Sequence, residues 1–342
     1  MLVATLIVHR PPAEADKLLD IVGKRGWYFL FSAIIIVIAL ISLIMPPGWS
    51  TLNSGLKPGI DFTSGSVLDI SFSKPVDQNL VYEQMKYLGH PEALVQTTGA
   101  NSVIIRTKVL KEPEGSNESE RQSIQRHLEK TISPIDSLAF DSISPIIARE
   151  TIRNALFAMV AASIFILLYI WYAFRRAPKA YRYGISAIIA LLHDTIIILG
   201  LFSILGKTIG MEVNATFIIG ILTVAGYSVN DTIVVFDRIR KNVIRHPERD
   251  FSSLVNTSIV ETIGRSMNTS LTTFVVLLAL LLIGGDSIRG LILVVAAGVL
   301  VGTYSSIFIA SQFLVIWDRK EFRSIFRLRQ TRSESATSNL SA

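Results

Sequence analysis

The sequence predicts a multi-span α-helical membrane protein with one small α+β domain between its first two spans. Half of the 342 residues are hydrophobic and the mean hydropathy is +0.47, which is typical of several spans plus some soluble mass. Six apolar runs are long enough to cross a bilayer, since a spanning helix needs about 20 residues. Roughly a hundred more polar residues separate the first run from the second, too many for a connecting loop.

The first span is expected at Trp27–Met45, after a cytoplasmic segment of residues 1–26. No small-residue cleavage motif follows this span, which favours an uncleaved anchor over a signal peptide. The α+β domain is expected at residues 46–153, a five-helix membrane domain at residues 154–317, and a basic cytoplasmic tail with a disordered end at residues 318–342. The five later spans are expected at Asn154–Phe174, Tyr183–Leu205, Val213–Phe236, Ser266–Ile283 and Ile288–Trp317.

Basic residues indicate the orientation of the chain. They cluster in the second-to-third connection, the fourth-to-fifth connection and the C-terminal tail, whereas the connections on the other side hold few. Because cytoplasmic loops are enriched in Lys and Arg, we expect a multi-pass protein of the cytoplasmic (inner) membrane with both termini in the cytoplasm and the α+β domain outside. The formal net charge of +6 is explained by these clusters, so no nucleic-acid binding is expected.

Composition and motifs argue against several kinds of chemistry. The chain has no cysteine, which excludes disulfides and thiolate metal sites. It has no phosphate-binding loop, so we expect no ATP hydrolysis by this chain. No His, Asp and Glu cluster has the spacing of a metal site, and no nucleophile–base arrangement can be argued. The expectation is a protein that is not an enzyme and holds no metal or cofactor.

The α+β domain is predicted from short alternating runs between helical ones. A hairpin is expected where Gly99-Ala100-Asn101 separates two strand-like runs. The predicted order of strands and helices, β-α-β-β-α-β, is that of the ferredoxin-like plait. The elements are Val67–Phe72, Val76–Leu88, Ala93–Thr98, Ser102–Thr107, Glu120–Ile132 and Leu138–Ser142, with a charged loop at Lys111–Glu118.

An acidic residue, Asp231, lies inside the apolar fourth span. A carboxylate that faces lipid costs roughly 2.5–3.5 kcal/mol on insertion scales. The side chain of Asp231 must therefore face protein or water, or be protonated. Wound at 3.6 residues per turn, the segment carries a polar stripe. The stripe consists of Thr216, Gly220, Thr223, Tyr227, Asn230 and Asp231.

Arg265 lies near the inner end of the fifth span, at the depth expected for Asp231, so an ion pair between them is geometrically possible. Asn268 and Thr269 follow on or near the face of the arginine and could hold a water chain. One hypothesis is a proton-responsive carboxylate that captures Arg265 when charged and releases it when protonated. The alternative is a permanent structural salt bridge, or a carboxylate that reaches the inner interface.

Two further patterns lie within the predicted spans. His193 and Asp194 in the third span could relay protons, although packing polarity satisfied by neighbouring helices is the favoured interpretation. Gly298 and Gly302 allow a close approach of helices.

The segment Gly59–Gly65, which includes Asp61 and Phe62, opens the extracytoplasmic domain. For Asp61, a turn-forming role is favoured over a metal or proton site.

Several motifs together resemble the SecD/SecF family of protein-export membrane subunits, and within it the SecF branch. They cover nearly the whole chain from about Leu18 to Trp317, and GYSVNDTIVVFDRIR and GTYSSIFIA are the most specific. The matching stretches are VGKRGWYF (22–29), GIDFTSG (59–65), SPIIARE (144–150), LLHDTIIILGLF (191–202), VAGYSVNDTIVVFDRIRKN (224–242), RSMNTSLTT (265–273), GGDSIRG (284–290) and GTYSSIFIA (302–310).

This resemblance implies six helices related to half of an RND-type transporter, with a plait domain between the first two. It implies a subunit that works with SecD beside the SecYEG translocon, within membrane lipid. The subunit would use the proton-motive force to promote late-stage export of unfolded polypeptides. It also implies that the proton site includes Asp231 and Arg265, with a further essential Asp from SecD. The family usually has glycine where this chain has Ser64, and the first 16 or so residues look like an extension.

Two other functions remain open at this point. An RND-type small-molecule or lipid exporter half would have a similar membrane domain, but such pumps carry two six-span halves and larger external domains. A scaffold that only stabilises the translocon would tolerate the loss of Asp231.

Overall fold

The computed structural model describes residues 20–45, 55–111, 119–175, 179–283 and 286–318. Most of the predicted loop Lys111–Glu118, most of the N-terminal segment and nearly all of the C-terminal tail lie outside these residues. In chain order the elements are α1 (Arg25–Ile44), α2 (Ile60–Thr63), β1 (Gly65–Phe72), α3 (Gln78–Tyr87), β2 (Leu94–Thr97), β3 (Ser102–Thr107), α4 (Glu120–Thr131), β4 (Ile135–Ile143), α5 (Pro145–Ala173), α6 (Tyr181–Ile209), α7 (Ala215–Arg245), α8 (Phe251–Ile283), α9 (Asp286–Ser305), a π-helical turn (Ser306–Ala310) and α10 (Ser311–Asp318).

Six helices among the described residues are long and apolar enough to cross a membrane. The first five spans are α1, α5, α6, α7 and α8, and the sixth is formed by α9, the π turn and α10. Together with the small antiparallel sheet domain near the N-terminus, they confirm the predicted fold class. The chain is therefore an integral membrane protein.

Four of the spanning helices, α5, α6, α7 and α8, are longer by more than a turn than the apolar runs that predicted them. Helix α5 begins at Pro145, where Ser144 accepts a hydrogen bond from the Ile147 backbone at 3.4 Å. Helix α7 continues to Arg245 and helix α8 already begins at Phe251. The extra turns of α7 and α8 pack on each other, since Asn242 donates to Ser258 and to Glu261 at 2.9 Å each. Hydropathy marks only the part that hydrocarbon would surround.

The interior of the helix bundle is formed by α6, α7 and the sixth span. About half of the apolar stretch is buried in each of them, against 6–11% in the other three spans. Close packing between α7 and α9 depends on glycine. A Cβ at Gly298 would overlap Val224, and a Cβ at Gly302 would lie 3.0 Å from the Cβ of Ser228. The two predicted packing glycines therefore both lie against the helix that carries Asp231.

The small domain has the predicted plait order. Its four strands are antiparallel and lie in the order β2-β3-β1-β4. Alternate residues of the central strands, such as Leu68 and Ile105, point into a core with α3 and α4. Helix α4 begins with the reciprocal hydrogen bonds of Ser119 and Gln122, a capping box. The structure adds one element that the sequence did not predict, the single turn α2 within the Gly59–Gly65 motif.

Substitution of Gly298 by Ala tests the packing of α9 on α7. The new methyl group would overlap the short, branched side chain of Val224, and such overpacking typically costs 1–3 kcal/mol. We expect a lower midpoint of thermal unfolding in detergent, followed by tryptophan fluorescence. Gly290→Ala in the same helix is the control, since no atom of the described part of the chain lies within 4 Å of the new Cβ. Equal midpoints for both variants would contradict this packing.

Substitution of Ser64 by Gly tests backbone strain at the end of α2. Ser64 has φ 62° and ψ 166°, a conformation that non-glycine residues adopt at a cost of about 1–3 kcal/mol. The greater entropy of the unfolded glycine chain offsets about 0.4–1 kcal/mol of this. We expect a net stabilisation of about 1 kcal/mol in chemical denaturation. The control Ser123→Gly, within helix α4, should destabilise the protein.

Candidate functional site

The carboxyl group of Asp231 is buried between α7 and α8. Its side chain is about 8% exposed, and Oδ1 accepts a hydrogen bond of 2.6 Å from the Ser266 hydroxyl. Oδ2 is buried as well and has no hydrogen-bond partner among the residues that the structure describes. An unsatisfied carboxylate oxygen in an apolar helix bundle is costly, so this group is sensitive to any proton or cation that reaches it.

Arg265 is not paired with Asp231 in this structure. Its side chain is exposed, and the neighbouring Ser266 takes the place beside the carboxyl group. Successive residues of a helix point about 100° apart, so when Ser266 faces α7 the Cα–Cβ bond of Arg265 is directed to one side of this contact. The contact with Ser266 does place Arg265 at the depth of Asp231, as expected. The direct ion pair allowed by the sequence is absent from this arrangement.

The other predicted polar residues divide between two faces. Asn230 on α7 is exposed. Asn268 and Thr269 on α8 are exposed as well, and they lie on the same side of α8 as Arg265. Tyr227 instead lies between the helices, where its hydroxyl donates to Ser270 at 3.2 Å. Ser270 also bonds to Thr303 of α9. The predicted polar stripe is thus split, with Asp231 turned inward and Asn230 outward.

His193 and Asp194 form a second buried polar centre, at the middle of the bundle. Asp194 is fully buried, and its Oδ1 lies 2.9 Å from Nδ1 of His193. Its Oδ2 accepts hydrogen bonds from Ser228 of α7 at 2.6 Å and from Ser305 of α9 at 2.8 Å. Nε2 of His193 bonds to the Ser32 hydroxyl of α1. Side chains of the neighbouring helices thus satisfy the hydrogen bonding of this pair, and its role stays a prediction.

The serines of these two centres were missed by the sequence analysis. Ser228 and Asp231 lie one turn apart on α7, and Ser266 and Ser270 lie one turn apart on α8. Each hydroxyl is buried among apolar residues, where small polar side chains bond across helices. Their helical spacing was a usable signal, although serine is common in spans. Ser306, in the π turn, also bonds to Thr232 at 2.8 Å.

The Gly59–Gly65 motif contacts the start of α7. The Gly59 backbone donates to the Val213 carbonyl at 2.7 Å, and the Val213 backbone donates to the Lys57 carbonyl at 2.8 Å. Oδ2 of Asp61 accepts a 2.6 Å hydrogen bond from the backbone of Ala215, the first residue of α7. The partly buried Phe62 packs in an apolar cluster with residues of α6 and α7. Asp61 therefore does more than form a local turn.

Charged side chains join the plait to the α6–α7 connection beside this motif. Glu212 forms ion pairs with Arg106 of β3 and with Lys57, the latter at 3.4 Å. Lys57 also donates to the Gly210 carbonyl at 3.0 Å and to Gln96 of β2 at 3.3 Å. Burial, followed by the nearby Arg106 charge, lowers the pKa of Lys57 to about 8. Burial also lowers the pKa of Arg106.

No group of three His, Asp or Glu side chains that could hold a metal ion occurs within the described ranges. What these ranges contain is a six-span membrane domain with two buried carboxyl groups and a plait that bonds to the start of α7. These features define an integral membrane protein with acidic groups buried inside its spans.

Comparison with known proteins gives the family. The protein-family model "Protein export membrane protein SecD/SecF, C-terminal" matches residues 102–320, and the family model "SecD/SecF GG Motif" matches residues 49–76. The chain belongs to the SecD/SecF family. It is 40% identical to the protein translocase subunit SecF of Thermobaculum terrenum over 93% of this chain and 99% of that one. It is 37% identical to SecF of Anaerolinea thermophila over 91% and 97% of the two chains.

A solved structure gives the same result at the level of fold. The crystal structure of SecDF, a translocon-associated membrane protein from Thermus thermophilus, superposes with a TM-score of 0.70 at 29% identity. The match covers 88% of this chain and 39% of the SecDF chain. A SecDF structure in a super-membrane-facing form matches with a TM-score of 0.57. The chain therefore spans about two fifths of the SecDF chains that it matches.

The pH dependence of stability tests the environment of Lys57. Its pKa of about 8 in the folded chain lies below the ordinary 10.5, so between these values the unfolded chain binds more protons. The contribution of Lys57 to the free energy of unfolding is therefore lowest below pH 8 and rises from pH 8 to 10.5. We expect Lys57→Met to remove this rise from the pH profile of the thermal midpoint. Lys130→Met, at an exposed lysine of α4, should leave the profile unchanged.

Proposed function

We propose that this chain is an accessory subunit of Sec-dependent protein translocation that works with a SecD chain and uses the proton-motive force to promote late-stage export of unfolded polypeptides. The SecF relatives, which it matches over nearly their whole length, support the translocation role. Its likeness to part of the SecDF chain supports the association with SecD. The SecYEG translocon, the emerging polypeptide and membrane lipid are the further partners.

The observation that carries the proton coupling is the carboxyl group of Asp231. It is buried in a span, bonded through one oxygen to Ser266 and unsatisfied at the other. Protonation would neutralise the group in place and leave the bond to Ser266 intact. Deprotonation would leave an uncompensated charge that attracts the nearest cation, and Arg265 lies one residue along α8 from Ser266. The charge of Asp231 would thus set the packing of α7 against α8.

The exposed polar face of α8 supports a partner within the membrane. Arg265, Asn268 and Thr269 are exposed at the level of Asp231, together with Asn230 of α7. Polar and charged side chains are expensive in hydrocarbon, so such a face is normally covered by protein or lines a water-filled path. We propose that SecD covers this face and contributes the remaining acidic group of the proton site. Tyr227 and the His193–Asp194 pair support the site from inside the bundle.

The proposed orientation places the plait on the outer side of the cytoplasmic membrane and both termini in the cytoplasm. The basic residues support it, since Arg238, Arg240 and Lys241 lie at the end of α7 opposite the plait. The proposed domains are the cytoplasmic segment 1–26, the first span, the plait up to about residue 153, the five-helix domain and the tail from residue 318. In this orientation, protons that reach Asp231 would come from the side of the plait.

Asp231→Asn tests the proton coupling. Asn retains an acceptor for Ser266 but cannot lose a proton, so the fold should keep its stability to within about 1 kcal/mol. Co-reconstituted with SecD and the translocon, the variant should release late-stage polypeptide at the rate that the wild type shows without a proton gradient. Release would be timed with and without the gradient.

Asp237→Asn is the matched control, because Asp237 lies on the same helix but forms ion pairs with Arg240 and Lys241 at the end of the span. It should keep the acceleration by the gradient. If Asp231→Asn also kept it, the coupling would be refuted and a scaffold role favoured. Co-purification with an adaptor and an outer-membrane channel, in place of SecD and the translocon, would favour the exporter instead.

A further inference from the structure

We propose that Asp61 is a positioning residue that fastens the plait to the first turn of α7, so that a shift of this helix moves the plait directly. This inference deepens the proposed function and rests on it, because α7 is the helix that carries Asp231. It assigns a mechanical role to the Gly59–Gly65 motif, and it depends on contacts between segments that are far apart in sequence.

Asp61 accepts its hydrogen bond at the N-terminus of α7. The first backbone N–H groups of a helix have no partner within the helix, and the helix dipole favours a negative charge there. Asn214 already accepts from the Phe217 backbone at 3.0 Å. The carboxyl group of Asp61 accepts from Ala215 at 2.6 Å and adds a second, charged cap across 154 positions of sequence. Helix α7 has its own cap, so Asp61 is not needed to start the helix.

The backbone beside Asp61 is bound to the same place. Val213 receives a hydrogen bond from Gly59 and donates one to Lys57, like a single step of parallel strand pairing. A Cβ at Gly59 would lie 3.1 Å from the Val213 carbonyl oxygen, so the close approach depends on glycine. The Asp61 cap and these two bonds hold the motif to the residues that lead directly into α7.

Little flexible chain separates the motif from the sheet. After α2 only Ser64 precedes β1, a strand that pairs with both β3 and β4. A second connection runs from β3, where Arg106 pairs with Glu212 in the α6–α7 connection. The start of α7 is therefore tied to the two inner strands of the sheet, and the plait would follow it as one body.

The helix itself can carry a displacement over the required distance. Helix α7 is continuous over 31 residues and contains no proline. At 1.5 Å per residue, its first turn lies about 24 Å from Asp231 along the axis. Gly298 and Gly302 pack α9 closely on the segment between them, so a change in packing near Asp231 should shift the helix as a unit.

The test measures the position of the plait relative to the membrane domain. The chain has no native cysteine, so spin labels at Ser123→Cys on α4 and Leu282→Cys on α8 report one distance distribution by pulsed electron paramagnetic resonance. The distance distribution would be measured for the full-length chain in liposomes. Three backgrounds would be compared, the wild type, Asp61→Asn and Asp61→Ala, each with and without Asp231→Asn. Asp77→Ala is the matched control, because Asp77 caps α3 within the plait only.

In the wild-type background, Asp231→Asn should shift the distance distribution. Asp61→Ala should broaden the distribution and abolish the shift, while Asp61→Asn, which retains an acceptor, should restore part of it. Asp77→Ala should retain the full shift. Retention of the full shift in Asp61→Ala, or no shift in the wild-type background, would overturn the proposal. Hydrogen exchange at the start of α7 in the Asp61 variants confirms that the helix remains folded.

The same variants separate this proposal from the proposed function. If export still depends on the proton gradient and on Asp231 but the distance does not respond, the mechanical link is refuted and the proton coupling stands. If the distance responds as expected but export is insensitive to the gradient, the link stands and the coupling is refuted. A purely structural role for Asp61 would lower thermal stability and leave the shift caused by Asp231→Asn intact.

Discussion

The structure depends on keeping one carboxyl group out of lipid. Asp231 lies in a helix that is otherwise apolar enough to span a membrane, and its side chain is buried beside Ser266 of α8. The hydroxyl group of Ser266 donates a hydrogen bond directly to this carboxyl group. One oxygen of this carboxyl group is bonded, and the other has no partner among the described residues.

The two buried carboxyl groups of the bundle differ in how completely they are satisfied. Asp194 is surrounded by His193, Ser228 and Ser305, which use both of its oxygens. Three helices meet at this residue, which makes it a fixed point of the bundle interior. Asp231 lies one turn further along α7 from Ser228 and faces a helix whose other side is exposed. Helix α7 thus contributes Ser228 to the Asp194 centre and carries Asp231 itself, and its first turn bonds to the plait.

Much of the fold was predictable because the signals are local. Apolar run length gave the spans, and alternation gave the strands, with β3 predicted to the residue and β4 longer than expected. Helix ends beyond the apolar runs were missed at α5, α6, α7 and α8, since hydropathy does not report turns that continue past the apolar run. Asp231, Asn230 and Arg265 could be named from the sequence, and their roles stay predictions. The serines around them carry too weak a signal to be chosen.

The sequence by itself determined the six spans, the plait and the presence of an acidic group within the fourth span, because these follow from composition and periodicity along the chain. Tertiary structure decided which partner each polar group meets. It placed Ser266 rather than Arg265 beside Asp231, and it brought Asp61 to the start of α7. Such choices depend on the rotation of each helix about its axis and on contacts between distant segments, and neither is encoded in local spacing.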